Sequence, residues 1–178
     1  KGKLIAVNLN AEMNGETVEN LSGTEYDVKS LISGFAYGDI TSVAVSPSGK
    51  YLAVAVQAEN YAEKGVVALF SCRSDGSLEM VSYAQTGVQP DMVTFADENT
   101  LLTADEGEPR QGINGTDPKG SLTIAVIGEG GALTSKQVYF DKFDSKRDEL
   151  TASGVLVQKG IDPSTDFEPE YIAVSGDK

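Results

Sequence analysis

Two stretches of this chain are one pattern written twice. Ile40 to Val56 reads ITSVAVSPSGKYLAVAV, and Pro90 to Glu106 reads PDMVTFADENTLLTADE. Each has an alternating apolar run, a turn built from Ser, Pro, Gly, Asp or Asn, and an apolar return, the signature of a β-hairpin. Val93 stands 50 residues after Val43, Phe95 50 after Val45, and Leu102 50 after Leu52. In this reading Val43 and Val45 point inward and Leu102 takes the place of Leu52. The remainder of each unit repeats as well. VVALFSC (Val66 to Cys72), an SDGS turn and LEMVSYAQ (Leu78 to Gln85) follow the first hairpin. SLTIAVI (Ser121 to Ile127), a GEGG turn and KQVYFD (Lys136 to Asp141) follow the second. Four strands in a unit of roughly 40–50 residues are the mark of propeller blades. One such sheet cannot bury both of its faces alone, so its neighbours must cover them. A plain β-sandwich with two similar hairpins is the alternative architecture.

A third copy begins at PEYIAVSGDK, where Ile172 stands 79 residues after Val93, so the second unit carries an insertion. Tyr171 to Val174 reads as a strand with no partner after it, the first strand of a further blade. Within the insertion, FDSKRDELTASG (Phe143 to Gly154) predicts a short surface helix with Ser145 as its cap, Asp148 in the first turn and Gly154 as its stop. GVLVQKG (Gly154 to Gly160) reads as a short edge strand. Near the other end, LIAVNLN (Leu4 to Asn10) reads as a strand, and the polar stretch from Asn10 to Leu31 as a linker holding one edge strand and a turn at Asn14-Gly15. The expected organisation is all-β: part of a blade over about 1–39, a blade over about 40–89, a blade with a short helical insertion over about 90–168, and the start of another at 169–178. Lys1 is not an initiator Met and the last strand is unpaired, so the chain reads as a piece of a longer propeller.

Charge and composition exclude several function classes. Lys and Arg number 14 against 27 Asp and Glu, a net charge of −13. No basic run exists to grip phosphates, which argues against nucleic acid as a partner. There is no His, so His-based triads and His metal sites are absent from these residues. Cys72 stands alone, which precludes an internal disulfide and, without a His to activate it, reads as an inert thiol. No apolar run reaches the 18 residues or so of a membrane span, so direct membrane insertion is not expected.

The acidic residues gather in two places. ADEGEPRQGINGTDPKG carries Asp105, Glu106, Glu108, Asn114 and Asp117 after the returning strand of the second hairpin. DPSTDFEPE carries Asp162, Asp166, Glu168 and Glu170 ahead of the third copy. Loops into innermost strands lie on one face of a propeller, so the two clusters are expected to approach one another. Carboxylates and backbone carbonyls are the hard oxygen donors that calcium takes six to eight at a time. Asp105, Glu106, Glu108, Glu168 and Glu170 are therefore the candidate metal ligands and Ca²⁺ the candidate ion. The spacing does not follow an EF-hand loop, and solvated acidic loops are the simpler reading of the same residues. The loop QAENYAEKGV around Tyr61 occupies the corresponding place in the first unit and is shorter and less acidic.

PDMVTFADENTLLTADEGEP, GTDPKGSLTIAVI and FDSKRDELTASGVLVQKGIDPSTDFEPEYIAVSGDK, in that order and spacing, resemble the choice-of-anchor I family. That family includes bacterial surface proteins, relatives of a mesenchyme-specific cell-surface glycoprotein, and proteins labelled alkaline phosphatase. The resemblance implies a β-propeller of about seven blades, exported and held at a cell surface. It implies a binding or scaffold module with a protein, glycan or small-molecule ligand. The alternative is a metal-dependent phosphoesterase on the same propeller, with a purely structural spacer as a third reading. For the enzyme, Arg110 and Lys119 are the only cations near the first acidic cluster. Catalytic residues are not identifiable from these motifs. Exposed blade faces and edges predict self-association.

Overall fold

The computed structural model describes residues 2–7, 9, 23–110 and 115–176. Ten strands are described: β1 (Lys3–Val7), β2 (Gly23–Asp27), β3 (Tyr37–Val45), β4 (Tyr51–Ala58), β5 (Lys64–Cys72), β6 (Leu78–Val88), β7 (Pro90–Phe95), β8 (Thr100–Asp105), β9 (Ser121–Ile127) and β10 (Leu133–Tyr139). β1 and β2 pair with each other, β3 to β6 form one four-stranded sheet in chain order, and β7 to β10 form a second. Every pairing is antiparallel. The two units of the sequence repeat are thus two sheets of the same design. The linker's edge strand is β2; the turn expected at Asn14-Gly15 lies outside the described residues.

The sheets stack face to face, β3 and β4 against β7, and β6 against β9 and β10. The first sheet offers small and medium side chains, Ala53, Ala55, Val67, Leu69 and Ala84. The second fills the space between them with Val93, Phe95, Leu101, Ala125 and Ile127. Fully burying a Val, Leu, Ile or Phe contributes about 1.5–3 kcal/mol, so this interface dominates the cohesion of the pair. The opposite face of the first sheet (Leu52, Val54, Val56, Val66, Ala68, Phe70) is covered by Val28 and Ile32, with Leu4 and Phe35 at the margin. Val28 opens the single helical turn α1 (Val28–Leu31). Covered on both sides, β4 and β5 carry apolar runs instead of alternation.

Polar contacts between the sheets keep the offset of the repeat. The Thr41 hydroxyl donates to the Pro90 carbonyl, 49 residues on, at 2.6 Å. Ser48 donates to Glu98, 50 on, at 2.7 Å, and Ser82 to the Gly131 carbonyl, 49 on, at 2.7 Å. The same offset continues backwards, since the Tyr83 hydroxyl donates to the Ser33 carbonyl, 50 residues earlier, at 3.0 Å. Corresponding residues of successive units therefore lie over one another.

The structure corrects five details of the sequence reading. Val45 pairs with Leu52, but Phe95 pairs with Leu101. The second turn is one residue shorter, so Leu101, not Leu102, takes the place of Leu52. Val43 and Val45 are 52% and 58% exposed, because the β1–β2 layer and α1 cover the β4–β5 part of that face and leave β3 open. Tyr171 to Val174 has no ladder partner among the described residues and is not a strand, and neither is Gly154 to Gly160. The insertion begins with a 3₁₀ turn (Asp141–Lys146) that runs into α2 (Arg147–Ala152), so Ser145 lies inside the turn and does not cap the helix. Gly154 ends it as expected, at φ 94, with its N–H on the Thr151 carbonyl at 3.1 Å.

Candidate functional site

Both acidic segments reach the same end of the second sheet. The first leaves β8 and is fastened at once: Glu106 N–H donates to the Gln89 carbonyl at 2.9 Å and Gly107 N–H to the Val88 carbonyl at 3.2 Å. The Gln89 side chain adds a bond from Nε2 to the Glu108 carbonyl at 2.6 Å and another to the Tyr61 carbonyl at 3.0 Å. The Tyr61 hydroxyl meets the far side of the loop, accepting from Thr116 N–H at 3.0 Å and donating to the Thr116 carbonyl at 3.2 Å. The loop around Tyr61, singled out in sequence only by its position, thus braces the acidic one.

The second segment is held by packing. Phe140, Phe143 and Phe167 form a cluster with ring centroids 5.7–6.5 Å apart, which closes the insertion on itself. The Arg147 guanidinium donates to the carbonyls of Gln158 and Ile161. Asp144 accepts from both the N–H and the hydroxyl of Ser164, at 2.8 and 2.9 Å, at the start of α3 (Pro163–Asp166). The chain then passes over Gly120 so closely that a Cβ there would stand 2.0 Å from the Phe167 carbonyl oxygen and 2.8 Å from Pro169. Only glycine permits that approach.

Between the two segments lies a cleft of about 310 Å³, with Asp117, Asp166 and Glu168 on its walls beside Pro109 and Ile161. The carboxylates feel one another. Burial raises the Glu106 carboxyl above its usual range, and the charges of Glu108, Asp91 and Glu168 push it the same way against the pull of Arg110. Burial and then Glu108, Asp117, Asp166 and Glu170 raise Glu168. Asp117 is raised by burial and by Asp166. Four of the five sequence candidates, Glu106, Glu108, Glu168 and Glu170, thus belong to one electrostatic neighbourhood.

Asp105 is placed differently. It is fully buried in the sheet interface. Its carboxylate accepts from the hydroxyls of Thr103 (2.6 Å), Thr123 (2.6 Å) and Ser121 (2.9 Å) and from the Gly87 N–H of the first sheet (3.1 Å). Burial raises its pKa, and these four donors pull it back. Its oxygens are occupied by the protein. Among the described residues no three acidic or thiol side chains stand close enough to hold a metal ion as placed. The donors are those calcium takes, but they do not form a ready-made cage; Asn114 lies outside the described residues. Of the nearby cations, Arg110 pairs with Glu108 at 3.8 Å and Lys119 pairs with Asp141.

A family model described as the choice-of-anchor I domain matches residues 3–178. The chain belongs to the choice-of-anchor I family. The family description points to a surface-associated domain. No described helix of this choice-of-anchor I chain is long and apolar enough to cross a membrane. A search of curated proteins returned no match. Sequence reasoning about this choice-of-anchor I chain placed the two acidic segments together and missed Gln89. Its signal was faint: a polar residue, Gln, standing alone between two strands and directly before Pro90.

Proposed function

We propose that this choice-of-anchor I chain is a stretch of a β-propeller displayed at a bacterial cell surface, and that it serves as a binding module whose acidic cleft takes calcium. The propeller is supported by the constant offset of about 50 residues with which successive sheets lie over one another (for Ser48 and Glu98, 50 residues apart). The binding role rests on one observation: loops more than 50 residues apart in sequence bring Glu106, Glu108 and Glu168 within reach of each other's charge. Like charges gathered at one place and offset only in part by Arg110 cost free energy, and a divalent cation removes that cost. Repulsion also keeps such carboxylates apart until the ion arrives, so a flexible oxygen-ligand ion such as calcium suits them better than magnesium, which demands near-ideal octahedral geometry.

The test is thermal melting during a calcium titration, with magnesium as control. A ligand of the folded state stabilises it by about 2.7 kcal/mol at a hundred times its dissociation constant. A calcium-specific rise in Tm that disappears in Glu106→Gln/Glu168→Gln supports the site. No rise at millimolar calcium removes the ion, and a cationic group on a protein or glycan ligand becomes the occupant to seek. Turnover of a phosphate ester by the calcium-loaded protein would instead favour the phosphoesterase reading.

A further inference from the structure

Gln89 is the sole described non-glycine residue with positive φ, at 55°. That backbone region is readily open to glycine and, less so, to Asn and Asp. Gln has no local compensation of that kind, and Pro90 restricts the same residue further by disfavouring the helical region before it. The side chain is only 1% exposed. A strained, buried polar residue persists where its surroundings over-determine it, and such residues cluster at functional sites.

The surroundings here are specific. Nε2 donates to two carbonyls from two different sheets, Tyr61 after β4 and Glu108 after β8. The backbone carbonyl of Gln89 takes the Glu106 N–H. The amide orientation is dictated, since turning it over would set Oε1 against both carbonyl oxygens. Oε1 itself is buried and has no hydrogen-bond partner among the described residues. One residue thus ties down Glu106 through its main chain and Glu108 through its side chain, and fixes both to the first sheet.

We propose that Gln89 is the positioning residue of the acidic site: its side-chain amide locks the acidic loop onto the Tyr61 loop, so that Glu106 and Glu108 are presented together toward Glu168. The role in cation binding rests on the calcium reading above; the locking of the loop does not.

Two variants test it. Gln89→Gly accepts the left-handed backbone and removes the amide; Gln89→Asn keeps an amide on a chain one methylene too short to span both carbonyls. In each, hydrogen exchange at Glu106, Gly107 and Thr116, whose N–H groups are bonded to the Gln89 carbonyl, the Val88 carbonyl and the Tyr61 hydroxyl, is expected to quicken about tenfold while the amides of β4 and β5 keep their rates. The calcium needed for half of the Tm rise is expected to increase about tenfold. A residue that served stability alone would lower Tm and leave the calcium midpoint in place, and that result overturns the positioning role. Should the parent chain show no calcium response, the calcium reading fails by itself. Exchange then decides: unchanged rates in the loop overturn the lock, and faster rates uphold it.

Discussion

Asp105 shows how one residue can be legible as to type and misread as to place. In the stacked repeat, Leu101, Thr103 and Asp105 stand where Leu52, Val54 and Val56 stand in the first sheet. The second unit has turned the end of an apolar column into a polar one, with Thr123 and Ser121 joining from β9. Gly87 makes this possible, since a Cβ there would meet Ser121 Oγ at 2.1 Å and Asp105 Oδ2 at 2.7 Å. Asp105→Val, which restores the residue of the first sheet, leaves three hydroxyls without their acceptor and the Gly87 N–H with only one of its two, Thr123 Oγ1. It is expected to cost about 1–3 kcal/mol in urea unfolding. The calcium response of the acidic cleft should survive in that variant, because the carboxylate is spent inside the interface. Sequence alone marks Asp105 as the first member of an acidic run; only burial separates it from Glu106.

At the scale of elements, the hairpin repeat was readable because alternation and turn residues are local properties. The slip of one residue after the second turn was not, since a turn shortened by one residue moves the returning strand without altering its apolar look. The slip has a measurable consequence. Leu101 is fully buried between the sheets and Leu102 is half-buried on the outer face. Leu101→Ala is expected to cost about 2–5 kcal/mol. Leu102→Ala is expected to cost well under half as much by the same denaturant measurement. The strand expected at Tyr171 to Val174 illustrates another limit, because β-propensity without a partner makes no ladder. The acidic elements carry a pH dependence. Glu106, Glu168 and Asp117 have folded pKa values above their unfolded ones. The folded state binds their protons more tightly, so stability from these groups rises as pH falls from neutral through the folded values and levels off below the unfolded ones. Asp75, Asp97 and Asp141 are shifted down, and their contribution is lost only at lower pH, as it falls through their folded values. Tm measured against pH in the absence of divalent ions should therefore pass through a maximum on the acid side of neutrality.

The whole molecule presents an uncovered sheet face. Leu102, Ile124, Val126 and Val138 share the side of the second sheet that faces away from the first. Val126 is 45% exposed. The first sheet shows what such a face requires, since both of its sides carry apolar cover. Sedimentation velocity over a concentration series is expected to show reversible self-association of this chain. Ile124→Lys/Val126→Lys should return it to monomer with little change in Tm, because neither side chain is in the core. A monomer at every concentration would remove the association.

Each sheet is a simple meander, and that has a consequence in time. Every hydrogen-bonded pairing from β3 to β10 joins neighbours in the chain, so no strand waits for a distant partner. A ribosome delivers β3 to β6 before it makes β7, and the first sheet can close while the second is still being synthesised. Until Val93, Phe95 and Leu101 arrive, its face of Ala53, Ala55, Val67 and Leu69 is bare. The small side chains that later accept the second sheet also make this waiting surface a modest one, less prone to capture by the wrong partner than a face of Leu and Phe would be.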